Sequence, residues 1–171
     1  SVVGGVEPAG ERPSITLDLA ELSRPLGIDK QSATATVQAG IMGPDMERFL
    51  NPAGFTLGHF PQSFMYSTVG GWIATRSAGQ NSTRYGTIAE RVQSLRLAHP
   101  EGILSTPDVP AAAAGPDLVQ LIAGSEGTLG VITQATLRLA PLPQYQDYRG
   151  YLLPSFAEGV EAARELMQSG V

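Results

Sequence analysis

Apolar and polar positions alternate along Ser14-Ile-Thr-Leu-Asp18 and again along Ser32-Ala-Thr-Ala-Thr-Val-Gln-Ala39, a period of two that predicts two short strands. At Gly43-Pro44 the pattern turns helical. Proline suits a first helical position, Met46, Phe49 and Leu50 share a face, and Gly54 is placed to stop the element, so a helix is predicted through about Asn51. A second helix is predicted from Ser67 to about Arg76. Gly70-Gly71 opposes it by about 1 kcal/mol per glycine relative to alanine, so small residues there imply close packing or close approach of a ligand. Ser77 to Gly86 is polar and reads as a loop.

Val92 to Leu104 reads as a hairpin turning at Pro100-Glu-Gly102, and the Ala- and Pro-rich stretch Pro107 to Pro116 as a surface connection. Asp117 to Ala123 predicts a short helix with Leu118, Leu121 and Ile122 inward, stopped by Gly124. Leu129 to Leu139 predicts a long strand with Val131, Thr133, Ala135, Leu137 and Leu139 on one face, ended by Pro141 and Pro143. Tyr145 to Leu153 offers another strand. Ser155-Phe-Ala-Glu158 is a capping box for a helix that buries Phe156, Val160, Ala163 and Met167. Strands and helices that do not strictly alternate make the fold α+β. Gly124, Gly127 and Gly130 recur every third residue before a strand, unlike the G-x-G-x-x-G turn before a helix, so a doubly wound sheet is disfavoured.

Composition narrows the chemistry. The 171 residues suffice for one domain or two small subdomains, and 42% hydrophobic with 16% charged residues predicts a packed core. A net charge of -5 with Lys30 as the only lysine argues against nucleic acid as a partner. Cysteine is absent, which excludes thiolate metal sites and a cysteine nucleophile, and His59 and His99 lack metal-ligand spacing, so no metal centre is expected. No apolar run approaches the roughly 20 residues of a membrane span, and no signal peptide is visible, so a cytoplasmic protein without an integral membrane segment is expected. The opening Ser1-Val-Val-Gly-Gly-Val6, without an initiator methionine, reads as a piece of a longer protein.

Two segments carry the candidate chemistry. Ser67-Thr-Val-Gly-Gly-Trp72 reads either as a capped helix with glycines for tight packing, or as free helix-start amides that join the Ser67 and Thr68 hydroxyls to bind an anion. Gly124-Ser-Glu-Gly-Thr-Leu-Gly-Val-Ile-Thr133 reads either as a helix cap and turn into a strand, or as backbone kept bare for a ligand, with Glu126 a solvated or capping carboxylate. His59, after Gly58, is the better of the two histidines for chemistry, against the reading of a hydrogen-bonded structural residue. Trp72 and Tyr66 read as core or rim packing. Residue by residue these features point only to a phosphate-bearing ligand.

The combination is more specific. Pro61-Gln-Ser-Phe-Met-Tyr-Ser-Thr-Val-Gly-Gly-Trp72, Tyr85-Gly86 and Gly124-Ser-Glu-Gly-Thr-Leu-Gly130, in this order, resemble the FAD-binding (PCMH-type) domain of the vanillyl-alcohol oxidase family. The phrases Ser67-Thr-Val-Gly-Gly-Trp-Ile-Ala-Thr-Arg76, Gly58-His59 and Gly115-Pro-Asp117 are similar to its alkyldihydroxyacetonephosphate synthase branch and the bacterial FAD-linked oxidases related to it. The resemblance implies FAD extended between two α+β subdomains. Residues 1–143 would be the FAD-binding domain without its N-terminal subdomain, mainly the second subdomain with a mixed or antiparallel sheet flanked by helices. Residues 144–171 would start the cap domain.

Carried over by motif, Ser1 is the last serine of the family's diphosphate loop. Gln62, Ser63, Phe64, Met65, Tyr66, Ser67 and Thr68, with Gly70 and Gly71, run along the flavin and diphosphate. Thr75, Arg76, Ser77 and Ala78 lie against the cofactor. Glu126, Gly127, Thr128, Leu129, Gly130, Val131 and Ile132 face its adenine–ribose side. Gln62 stands where the family commonly has aspartate, and His59 takes the family's histidine position near the flavin, a candidate catalytic residue. The implied function is the FAD-binding part of an FAD-linked oxidase or dehydrogenase acting on an alcohol or 2-hydroxy acid. The alternatives are a flavin-dependent transferase exchanging an acyl for an alkyl chain without net redox, and a non-catalytic piece that holds FAD weakly or not at all. The implied partner is a small-molecule substrate, with oligomeric state open.

Overall fold

The structure, a computed structural model, describes residue 10 and residues 13–169. In chain order its elements are β1 (Pro25–Asp29), β2 (Thr34–Gln38), α1 (Gly43–Leu50), a 3-10 turn (Asn51–Ala53), β3 (Phe55–Thr56), a second 3-10 turn (Phe64–Tyr66), α2 (Val69–Ala74), α3 (Ser82–Tyr85), α4 (Ile88–Arg91), β4 (Val92–His99), β5 (Gly102–Ser105), α5 (Leu118–Ile122), β6 (Val131–Arg138), β7 (Ala140–Pro141) and α6 (Phe156–Gln168). Five strands form one sheet in the order β1-β2-β6-β4-β5, every neighbour antiparallel, and β3 pairs β7 apart from it. This is the α+β fold expected of the FAD-binding PCMH-type domain, an antiparallel sheet flanked by helices.

One sheet face is apolar. Ala35 and Val37 of β2, Leu95 and Leu97 of β4, and Ala135 and Leu137 of β6 are buried against Met46 and Leu50 of α1, Val69, Trp72 and Ile73 of α2, Ile88 of α4 and Ile122 of α5. The other face is polar, with Thr36 and Thr136 sharing a 3.1 Å hydroxyl contact across β2 and β6. This division follows from the period of two in antiparallel strands. Helix α1 begins with Pro44 in its first turn, and Gly54 ends the turn after it at φ 86°, where a side chain would be strained.

The period of two is broken once inside β6. Arg96 faces Gln134, but the next β4 residue, Leu97, faces Ile132, so Thr133 is an unmatched residue and the strand bulges. The predicted single face through Val131, Thr133 and Ala135 is therefore corrected: Ile132 joins Ala135 and Leu137 in the core, whereas Val131 and Thr133 are half-buried. Just before the bulge, Gly130 passes the neighbouring strand at φ 143°, and a Cβ there would lie 2.4 Å from the Ala98 carbonyl oxygen.

Other expectations also change. Ser14–Asp18 forms no strand and Ile15 is 95% exposed, because the sheet edge is taken by β1, a strand that Gly27 and the neighbouring Pro25 hid from a β-pattern reading. Tyr145–Leu153 is exposed and without strand pairing, having no sheet edge beside it. Helix α6 forms with Ser155 Oγ accepting from the Glu158 amide at 3.3 Å, but Phe156 is 89% exposed, and Val160, Ala163 and Met167 are exposed too. Nothing among the described residues packs on that stripe. In α5, Val119 and Ile122 face inward and Leu121 is 61% exposed. The polar stretch after Ser77 contains the short helix α3. Among the described residues no helix is long and apolar enough to cross a membrane.

Two glycines separate strain from crowding. Gly102 has φ 136° in open space, whereas Gly130 has φ 143° against the Ala98 carbonyl. Gly102→Ala is expected to lose about 1 kcal/mol by urea unfolding and Gly130→Ala about 3 kcal/mol, the difference being the backbone contact.

Candidate cofactor-binding site

The first motif segment is held in place from below by a carboxylate. Glu47, buried on α1, accepts hydrogen bonds from the Leu57 amide at 3.0 Å and Thr56 Oγ1 at 3.1 Å, and Thr56 Oγ1 in turn accepts from the Gly58 amide at 3.0 Å. With its amide turned to donate, Asn51 bonds Glu47 Oε2 at 3.0 Å. Burial raises the Glu47 pKa, and the bonds from Leu57, Thr56 and Gly58 oppose that rise. This latch sets the course of the chain into His59.

His59 is 1% exposed, edge-on to the Trp72 ring at 5.1 Å, with Nε2 2.7 Å from Ser77 Oγ. Burial first and the Arg91 charge second push its pKa down to about 4, so the ring is neutral near pH 7. Phe64 stacks on Trp72 at 6.1 Å, meets Phe60 at a tilt at 5.1 Å, and lies so close to Gly43 that a Cβ there would meet its ring at 2.6 Å. Trp72 Nε1 donates to Ser67 Oγ at 2.6 Å, and Ser67 Oγ donates to the Ser63 carbonyl at 2.7 Å. An aromatic stack thus clamps the Ser63–Ser67 turn while leaving Gln62, Ser63, Met65 and Tyr66 on the surface, Tyr66 at 87% exposure. Trp72 is core, and Tyr66 packs on nothing described.

At α2 the structure corrects the reading of free helix-start amides. Val69 N donates to Ile41 O at 2.9 Å, Gly70 N to Ala39 O at 2.7 Å, and Gly71 N to Thr68 Oγ1 at 3.2 Å. Gly70 is buried so tightly that a Cβ would come 2.7 Å from that of Ala39. The first turn is therefore spent on packing against the loop after β2, and no anion cradle is left there. Gly71, by contrast, is exposed.

The two glycine–hydroxyl segments meet at the other end of α2. Gly124 N donates to Ile73 O and Glu126 N to Ala74 O, both at 2.9 Å. Arg76 reaches across to the end of α5, giving Nε to Ala123 O at 3.2 Å and Nη2 to Gln120 O at 2.9 Å. Both Arg76 (φ 53°) and Glu126 (φ 50°) hold left-handed backbone conformations, uncommon for residues with a side chain. Two such residues face each other across one junction.

Of the residues expected to hold the cofactor, Thr75, Arg76, Ala78, Glu126, Gly127, Thr128 and Leu129 are exposed, Phe64, Ser67, Thr68, Ser77, Gly130 and Val131 are half-buried, and Gly70 and Ile132 are in the interior. Ser1 lies outside the described residues. Sequence reasoning missed Glu47, Arg91 and Gln120. Gln120, which accepts from Arg76 and donates to Ala89 O at 3.1 Å, carried no signal, whereas Glu47 was visible as a charge on the apolar side of α1.

A family model described as an FAD binding domain matches residues 1–106. The chain belongs to this FAD-binding family. It is 40% identical, over its whole length, to the alkyldihydroxyacetonephosphate synthase of Dictyostelium discoideum, of which it covers 28%. It is 37% identical over 98% of its length to an uncharacterised FAD-linked oxidoreductase of Escherichia coli (strain K12), covering 35% of that protein. A solved alkyldihydroxyacetonephosphate synthase structure superposes with a TM-score of 0.89 at 40% identity, covering 98% of this chain and 31% of that one. The chain thus spans about a third or less of these relatives. FAD is the cofactor of the domain. The exposed face fits its planar and polyol parts, since it offers neutral hydroxyls, bare glycine backbone and the uncovered side chains of Met65 and Tyr66. It fits the diphosphate less, because the α2 amides are donated internally and the Arg76 guanidinium is bound to α5.

The His59 pKa fixes a pH dependence. A buried neutral histidine binds its proton less readily folded than unfolded, so its contribution is fully present above pH 6.5 and is lost as pH falls toward 4. Wild type is expected to lose about 3 kcal/mol more than His59→Gln across that window in urea unfolding.

Proposed function

We propose that the exposed face around the α2–β6 junction is the wall on which FAD lies, and that the parent protein uses the cofactor to oxidise an alcohol or a 2-hydroxy acid. The observation that carries the cofactor part is the joint itself. Segments some fifty residues apart in sequence are hydrogen-bonded into one surface at two residues of strained backbone, Arg76 and Glu126. Ser63 to Thr68, Thr75 to Ala78 and Glu126 to Leu129 would hold the cofactor, and bound FAD supplies the electron-accepting chemistry. The chain itself keeps His59 neutral behind that surface and excludes water from the Trp72 side.

Oxidation is the reading supported by the FAD-linked oxidoreductase relative and by the donor set. The only cation in the motif segments, Arg76, is committed to α5, so this wall supplies nothing particular to a phosphorylated substrate. The 40% identity to the synthase supports the second reading, a transferase without net redox. Residues 1–143 are proposed as the FAD-binding domain, and α6 with the segment before it as the start of the substrate-covering part.

Gly71 tests the cofactor wall. It is exposed, and a Cβ on it would meet only Thr68 Oγ1 at 3.2 Å, so Gly71→Leu is expected to leave stability within about 0.5 kcal/mol. It should weaken FAD binding about tenfold or more, because the side chain would project from the face proposed for the cofactor. Unchanged affinity by flavin fluorescence titration would remove the wall from the site. The reaction is tested in the full-length, FAD-loaded protein without oxygen. Loss of the flavin absorbance on adding a 2-hydroxy acid or alcohol is expected; acyl release with alcohol incorporation and no lasting bleaching would establish the transferase.

A further inference from the structure

Ser77 lies directly after Arg76, in the segment proposed to face the cofactor. Its backbone is fixed, since its amide donates to Trp72 O at 2.9 Å and its carbonyl accepts from Ile88 N at 3.2 Å. Its hydroxyl has one partner among the described residues, His59 Nε2 at 2.7 Å. Geometry alone allows either direction for that bond. With the imidazole proton on Nδ1, Ser77 gives its hydroxyl proton to Nε2. With the proton on Nε2, His59 donates to Ser77, and the serine proton is free to go elsewhere.

The surroundings of Nδ1 decide between the two. This nitrogen is buried and has no partner among the described residues. Arg91 Nε is buried without a partner too, and unlike an imidazole nitrogen it is always a donor. Gly58, the residue before His59, and Arg91 border the same Tyr85 ring: a Cβ on Gly58 would meet it at 2.6 Å, the Arg91 guanidinium carbon lies 5.3 Å from its centroid, and the Arg91 charge acts on the His59 imidazole. A fixed positive charge stabilises a lone pair at Nδ1 and opposes an N–H there. An unmet buried donor is also the more costly and rarer case than an unmet acceptor. The ring is neutral near pH 7, so these two tautomers are the only choices.

We propose that Arg91 is a positioning residue that holds His59 in the Nε2–H tautomer, so that Ser77 accepts from His59 and gives its own proton to an acceptor atom of the bound cofactor. The proposal rests on the reading of the α2–β6 face as the FAD wall. Arg91 acts from behind that wall, and its effect on the cofactor passes through two side chains that touch each other. Ser77 thereby becomes a donor of fixed direction, suited to a carbonyl oxygen or unprotonated ring nitrogen and not to an N–H.

The experiment is a long-range 15N–1H correlation spectrum of the histidine-labelled protein, first without FAD and then loaded. Only two histidines are present, and His99→Gln assigns His59. The expected pattern has a protonated Nε2 and a lone-pair Nδ1 in His59, unchanged in Arg91→Lys and shifted toward Nδ1–H in Arg91→Met. Ser77→Ala should weaken FAD binding roughly three- to tenfold, the effect of one hydrogen bond, and Arg91→Met should add little on top of it. If Arg91→Met fails to fold, Arg91→Gln, which also removes the charge and keeps a polar group, is read in its place. An Nδ1–H His59 in wild type overturns the proposal even if FAD binds tightly, as does an Arg91→Met spectrum identical to wild type. FAD affinity unaffected by Ser77→Ala also overturns it. An Nε2–H His59 in a protein that takes no FAD supports the tautomer and sinks the functional reading instead.

Discussion

The two amide–carbonyl bonds from Gly124 and Glu126 to the end of α2 are the constraint on which the site depends. Helix C-termini leave carbonyls without intrahelical partners, and here Ala74 takes its donor, and Ile73 a second donor beside the Arg76 amide, from a turn about fifty residues away. Arg76 does the same for α5 in the opposite direction. Each segment therefore completes the other's helix end. Removing either takes away hydrogen bonds made at Ala74 and Ala123, which makes the pair a single structural unit despite its separation in sequence.

Everything upstream serves to aim that unit. Glu47 sets the path of Thr56 to Gly58, His59 and Phe64 pack on Trp72, and Trp72 fixes Ser67 through its indole nitrogen. The polar surface is thus backed by an apolar stack without mobile long side chains. On the far side the sheet provides the support, with the Thr133 bulge in β6 followed toward its start by the close approach of Gly130 to Ala98.

Much of this was legible in the sequence where one physical signal dominates. The alternation in Ser32–Ala39, the Pro44 start and Gly54 stop of α1, and the hairpin at Pro100-Glu-Gly102 depend on local sterics and period, and they appear as read. The order of the motifs sufficed for the family because glycine and hydroxyl residues at close backbone approaches tolerate little change. What failed was whatever depends on a distant partner. Ser14–Asp18 has a strand's alternation but no edge to pair with, and Val131 and Thr133 were assigned to the wrong face because a bulge is a property of two strands. The α2 amides looked free because their acceptors, Ala39 and Ile41, precede them by some thirty residues. The left-handed backbone at Arg76 and Glu126 likewise follows from the junction, not from either residue's own preference.

The internally satisfied first turn of α2 has one further consequence. Because Val69, Gly70 and Gly71 already donate to Ile41, Ala39 and Thr68, this turn is assembled by the folding reaction itself and needs no ligand to complete it. On the proposed wall, a cofactor would meet backbone that is already fixed, and what it could still order is side chains, Tyr66 and Met65 first among them.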